Sequence, residues 1–172
     1  LLRLIAEEGA TFTHCVPTIL QMLLLAPEAA ATDLSRLKMV IGGSALPQGL
    51  AAAALDRGID LYAGYGLSET CPVLSFAMLT PGEEDDVAAR VRTGKPLPLV
   101  DLRIVDEDMV DQPRDGASTG EVVVRAPWLN AEYLKSPQAT EELWRGGMMH
   151  TGDVGHIDAG DNLQITDRMK DV

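Results

Sequence analysis

Apolar and polar positions change their rhythm midway along this chain. In the first half, short apolar blocks alternate with stretches of helical spacing. Leu1, Leu2, Leu4 and Ile5 fit one helix face, and Gly9 predicts its C-cap. Residues 10–16, with β-branched and aromatic side chains, predict a strand. Pro17 predicts the first position of a helix running to about Leu25, ended by Ala26-Pro27. Residues 37–41 are apolar apart from Lys38 and predict a second strand. Gly42-Gly43-Ser44 predicts a turn, Pro47 opens a helix over 48–56, and Gly58 caps it. Residues 59–62 predict a third strand.

This order, β-α-β-α-β, predicts a parallel sheet with right-handed crossovers. In such a sheet the ligand edge is the carboxyl end of the strands. The loops His14-Cys15-Val16-Pro17, Gly42-Gly43-Ser44-Ala45 and Gly64-Tyr65-Gly66-Leu67 should therefore share one rim.

The rhythm changes at the acidic run Pro81-Gly82-Glu83-Glu84-Asp85-Asp86, read as a loop or linker. Beyond it helices nearly vanish. Residues 100–105 and 120–125 alternate as strands do, and 155–157 and 163–166 predict shorter ones split by the turn at 158–162. One short helix is expected at 138–144, after Ser136-Pro137. The fold class is α/β: a parallel half-domain over 1–92, then a small antiparallel barrel or sheet over 93–172.

Composition narrows the function classes. The 172 residues are 46% hydrophobic, as a core-former should be, and carry a net charge of -12. That acidity argues against nucleic acid as a partner, because phosphate backbones need clustered Lys and Arg. No apolar run reaches the ~20 residues of a transmembrane helix. Cys15 and Cys71 sit in apolar contexts without CxxC spacing, so they read as buried free thiols in a reducing, cytoplasmic setting. The chain starts in mid-helix style without Met and reads as a piece of a longer protein.

The most informative stretch is Gly64-Tyr65-Gly66-Leu67-Ser68-Glu69-Thr70. It offers an aromatic face for a base, two hydroxyls for a phosphate and a carboxylate for magnesium. A lone loop carboxylate is usually just solvated, so the composite carries the signal. Gly42-Gly43 after a strand lets a ligand approach the backbone, with a helix amino end expected next; an ordinary turn explains it as well. Thr151-Gly152-Asp153 places a hydroxyl and a carboxylate before an expected strand, where a carboxylate can bind both ribose hydroxyls or simply close a turn. Asp167-Arg168-Met169-Lys170-Asp171 reads by itself as an exposed charged face. His14, at an expected buried strand end, reads as a core histidine before a base. Trp128 and Trp144 read as packing anchors. Nothing has metal-cluster spacing or Ser/His/Asp logic.

In order, Gly43-Ser44-Ala45-Leu46-Pro47, Tyr65-Gly66-Leu67-Ser68-Glu69-Thr70, Gly120-Glu121-Val122-Val123-Val124-Arg125, Thr151-Gly152-Asp153 and Asp167-Arg168-Met169-Lys170-Asp171 resemble the middle and late motifs of the adenylate-forming (AMP-binding) superfamily. Val16-Pro17-Thr18, Thr93-Gly94-Lys95-Pro96-Leu97-Pro98 and Ala126-Pro127-Trp128 look most like its medium- and long-chain fatty acyl-CoA synthetases. The resemblance implies ATP-dependent activation of a carboxylic acid to acyl-AMP, then transfer to coenzyme A, within fatty acid metabolism. By that likeness Tyr65 stacks on adenine, with Gly43, Ser44, Ala45 and Gly66 around the nucleotide. Ser68 contacts the α-phosphate and Glu69 ligates Mg2+. Asp153 and Arg168 hold the ribose. Lys170 is the hinge to a C-terminal lid. His14, Val16 and Pro17 border the acyl pocket. The partners implied are the acid, ATP or AMP and coenzyme A, and a homodimer is admitted. Departures are Ser68 in place of threonine, Asp161-Asn162 in place of a glycine–aromatic pair, and Met148-Met149-His150 in place of an aromatic. The family's phosphate loop and lid lysine are absent, so these 172 residues alone are expected to be inactive. An aryl, amino or sulfur-bearing short acid as substrate, or a non-catalytic AMP- or acyl-AMP-binding module, are the competing readings.

Overall fold

A computed structural model describes residues 1–169. The chain divides into two compact units. One comprises Leu1–Tyr65 and Ala77–Arg92, the other Gly66–Phe76 and the chain from Thr93 onward. The boundary thus falls inside the glycine-rich signature, between Tyr65 and Gly66.

The first unit opens with helix α1 (Leu2–Glu8), which buries Leu2 and Ile5. Gly9 ends it in the left-handed conformation (φ 64°), as its missing Cβ permits. Strand β1 (Phe12–Cys15) leads into helix α2 (Pro17–Leu25), which begins at the expected proline and buries Pro17, Leu20 and Leu23. Strand β2 (Lys38–Ile41), helix α3 (Gln48–Leu55) and strand β3 (Asp60–Tyr65) follow. β1 pairs with β2 and β2 with β3, both parallel, aligning Cys15 with Ile41 and Ile41 with Ala63. The expected β-α-β-α-β order is therefore present. The core gathers Leu20, Leu34, Leu37, Met39, Ile41, Ile59 and Leu61.

Helix α3 starts at Gln48 after Pro47, as expected. Two details differ from the sequence reading. β3 runs on through Gly64 and Tyr65, so Tyr65 ends a strand instead of riding a loop. The acidic run ends in a short helix, α4 (Val87–Arg90), capped by the Asp86 carboxylate accepting from the Ala88 N–H. Its Arg90 is buried. The guanidinium donates to the carbonyls of Glu84 and Leu61 and to Asp60, and lies over the Tyr62 ring.

The second unit contains a short antiparallel ladder of β4 (Ser75–Phe76) and β5 (Lys95–Pro96). It also contains a four-stranded antiparallel sheet: β6 (Asp101–Val105), β7 (Gly120–Arg125), β8 (Met149–Ile157) and β9 (Leu163–Arg168), in that order. Among the described residues the sheet is open, β6 and β9 being its two edges, so the barrel alternative is corrected to a sheet. Central β7 buries Val122, Val123 and Val124 on both faces, whereas β8 alternates from Asp153 onward. Helix α5 (Pro137–Leu143) lies between β7 and β8.

Candidate active site

The three parallel strands of the first unit deliver their carboxyl ends to one rim. The Gly42 N–H donates to the Cys15 carbonyl (3.1 Å). A Cβ built on Gly42 would stand 3.2 Å from the Gly64 carbonyl oxygen, and one on Gly43 would stand 3.2 Å from a Val16 methyl. Gly43 also has φ 81°, which side chains rarely adopt. These glycines let the three strand ends close up. Ser44 and Ala45 are exposed beside them, and Tyr65 is half-buried. Pro17 is buried, but Val16 and His14 are exposed. The expectation of a buried His14 fails because side chains alternate across a strand: Thr13 and Cys15 align with the buried Met39 and Ile41, which puts Phe12 and His14 on the other face, beside exposed Lys38.

In the second unit, residues 66–72 form a turn locked from within. Ser68–Thr70 is one turn of 3-10 helix. Thr70 is fully buried, and its hydroxyl accepts from the Leu67 N–H (2.8 Å) and faces the carbonyls of Leu67 and Pro72 (both 2.9 Å). It cannot reach a phosphate, which corrects the pairing of Ser68 with Thr70 as phosphate hydroxyls. Ser68 remains exposed. A Cβ on Gly66 would lie 1.7 Å from the Pro72 carbonyl oxygen, so only glycine closes this turn. Cys71 is exposed, not buried, because it takes the left-handed position that ends the turn (φ 52°). Half-buried Cys15 has its thiol pushed up by burial.

Glu69 sits on that turn with both ends held. Its carbonyl accepts from the Asn130 N–H (3.1 Å), and its carboxylate accepts from the Tyr133 hydroxyl (2.8 Å). Burial first, then the Glu69 carboxylate, pushes the Tyr133 phenol up, so it stays a donor at neutral pH.

Thr151-Gly152-Asp153 lies inside β8, not before it. Glu121 pairs with Val154 and Val123 with His150, so three residues oppose Val122 alone. This is a β-bulge, a device that re-aims side chains. Gly152 supplies its positive φ (70°). The Thr151 hydroxyl donates to the Val122 carbonyl (2.7 Å), and the Gly152 N–H donates to the Glu121 carboxylate (3.2 Å). The other Glu121 oxygen holds a His150 ring nitrogen at 2.8 Å. The bulge turns Asp153 inward, where Arg168 on β9 reaches it at 2.9 Å. Lys170 lies outside the described residues. Tyr133, Glu121 and His150 were not legible as site supports, since each acts on a partner remote in sequence.

A family model described as AMP-binding enzyme matches residues 1–134. The chain belongs to that family. It is 37% identical over 179 aligned residues to a long-chain-fatty-acid–CoA ligase of Thermus thermophilus, covering 100% of this chain and 33% of that relative. It is 34% identical to an indoleacetate–CoA ligase of Aromatoleum aromaticum, covering 98% of this chain and 32% of that one. An O-succinylbenzoate coenzyme A synthetase of Bacillus subtilis, solved with ATP and a magnesium ion, superposes with TM-score 0.82 at 26% identity, covering 99% of this chain and 34% of that one. The chain thus spans about a third of the length of the relatives it matches. No helix among the described residues is long and apolar enough to cross a membrane.

Proposed function

We infer that this chain is the adenylate-binding part of an AMP-forming acid–CoA ligase. A substrate carboxylate attacks the α-phosphorus of ATP, pyrophosphate leaves, and the thiol of coenzyme A then displaces AMP from the acyl adenylate. The observation that carries the reading is the Glu69 turn: a carboxylate fixed at both ends, beside an exposed serine, on a loop that tolerates only glycine at its entry. Positioning and charge stabilisation are what adenylyl transfer asks of a protein.

The residues fit the groups this chemistry needs. Magnesium is commonly held by one or two carboxylates with substrate phosphates and water, and Glu69 supplies one hard oxygen donor of that kind. When bound, the ion would neutralise charge on the phosphates. Ser68 would donate to the α-phosphate. Tyr65, at the end of β3, would stack on the adenine, with the backbone of Gly43, Ser44, Ala45 and Gly66 around it. The Asp153 carboxylate and Arg168 would bind the ribose hydroxyls. Val16 and Pro17 would border the acyl group, with His14 at its outer edge, and Lys170 would serve as hinge. The acid, ATP and coenzyme A are then the partners, and a reducing cytoplasm suits the two free thiols.

A fatty acid is the favoured substrate, supported by the likeness to the Thermus ligase. The indoleacetate ligase, nearly as similar, supports an aryl acid as the second reading. Acid-dependent ATP–pyrophosphate exchange on the full gene product decides. Exchange with medium or long fatty acids supports the first reading, and exchange only with aryl or short sulfur-bearing acids the second. AMP binding without any exchange overturns catalysis in favour of a binding module. These 172 residues alone should form no AMP.

A further inference from the structure

The Glu69 carboxylate does not stand alone on its turn. The Tyr133 hydroxyl, 64 residues downstream, donates to its Oε1 at 2.8 Å. Tyr133 is itself held along its backbone. Its N–H donates to the Thr140 hydroxyl (2.9 Å), and its carbonyl accepts from the Ser136 N–H (3.2 Å). Thr140 lies in α5, and its hydroxyl donates to the Ser136 carbonyl (2.9 Å). The Asn130 N–H meanwhile grips the Glu69 carbonyl (3.1 Å). The segment 130–140 thus clasps Glu69 at both its backbone and its side chain.

A carboxylate has two oxygens and can swing about its terminal torsion. A neutral donor fixed on one oxygen stops that swing and commits the other. It also leaves the full negative charge in place, which an arginine or lysine in the same position would neutralise. We propose that Tyr133 is the positioning residue for Glu69, binding Oε1 so that Oε2 is the oxygen presented to a divalent cation. This rests on the reading of Glu69 as the magnesium ligand. Such outer partners of metal ligands commonly affect metal affinity by about ten-fold or more.

The test uses the full gene product with ATP and Mn2+, free Mn2+ being counted by electron paramagnetic resonance. Tyr133→Phe removes one oxygen atom and should weaken Mn2+ binding about ten-fold, with the thermal midpoint little changed. Glu69→Gln should weaken it at least as much. The double variant should be no worse than Glu69→Gln alone, because Tyr133 acts only through Glu69. Thr140→Val, which keeps the phenol but loosens its backbone anchor, should weaken binding by a smaller factor and carries the test should Tyr133→Phe not fold. Wild-type Mn2+ affinity in folded Tyr133→Phe, with Glu69→Gln impaired, overturns the positioning role alone. Wild-type affinity in Glu69→Gln overturns the assignment of the cation to Glu69.

Discussion

The Arg168 guanidinium lies 2.9 Å from Asp153 Oδ1, across directly paired positions of β9 and β8. The two ends of this ion pair live in different solvents. The aspartate side chain is 4% exposed and the arginine 64%. The energetic weight therefore rests on the carboxylate, which has left water, while the cation has barely done so.

Arg168→Ala should destabilise the protein by about 1–3 kcal/mol, because it strips a cation from a buried carboxylate. Arg168→Lys should recover part of this, since it restores charge but not the donor geometry at Nε. Denaturant unfolding of the three proteins checks the order. If the proposed ribose contact is right, AMP affinity falls in the same order. A stability change without any AMP effect would leave the pair structural.

Gly66→Ala should be among the most damaging single-methyl changes in the chain. The new Cβ would lie 1.7 Å from the Pro72 carbonyl oxygen, a backbone atom that cannot move without opening the Thr70 hydrogen bonds. A cost of about 3 kcal/mol or more is expected. Gly49→Ala is the matched control. It sits in α3 with nothing within 4 Å of a Cβ, so it should stabilise by about 0.5–1 kcal/mol. Thermal melts of the two variants should move in opposite directions.

Much of the first unit was legible because local signals and tertiary needs agree there. Pro17 starts α2, Gly9 ends α1, and the apolar blocks around Met39 and Leu61 become the sheet core. The errors fall where a tertiary partner decides. Gly64 and Tyr65 carry turn-like composition, yet β3 runs through them. Thr151-Gly152-Asp153 reads as a turn because a bulge and a turn demand the same residue types. Whether β8 stops or bulges there is fixed by Val122 and Glu121, about thirty residues earlier. Thr70 looked like a second phosphate hydroxyl, and nothing local says that its oxygen closes its own turn. Tyr133 was invisible for the plainest reason: a hydrogen bond spanning 64 residues leaves no spacing to read.

Arg90→Leu should unfasten the segment that precedes it. The guanidinium is 9% exposed and serves two backbone carbonyls and Asp60 at once. Without it those acceptors stay behind unmatched, at about 3 kcal/mol or more for the buried set. Arg90→Lys should not rescue, because one ammonium cannot replace the fork. Limited proteolysis should show faster cleavage within 80–92 in both variants, and equal protection in Arg90→Lys would contradict this.

Two surface carboxylates make the acid limb of the stability curve assignable. Glu83 is held down to about 2, from an ordinary 4.5, by the Thr80 hydroxyl, then the Thr80 N–H, then Arg92. Asp115 is held at about 2, from 3.8, by the N–H groups of Ser118 and Ala117 and the Ser118 hydroxyl. A carboxylate whose folded pKa lies below its unfolded value favours folding fully above the unfolded pKa, and that contribution is lost as pH falls toward the folded one. For Glu83 the window runs from pH 4.5 down to about 2, and for Asp115 from 3.8 down to about 2. Glu83→Gln should therefore lower stability at neutral pH but flatten its loss within the first window, and Asp115→Asn should do the same within the second. Asp115 is exposed and Glu83 lies half-buried at the surface, so salt should shrink the part that Arg92 contributes to Glu83 while leaving the hydrogen-bonded Asp115 less affected. Carboxylate titrations followed by NMR, at low and high ionic strength, check the assignment directly. A Glu83 midpoint near 4.5 in the folded protein would refute it.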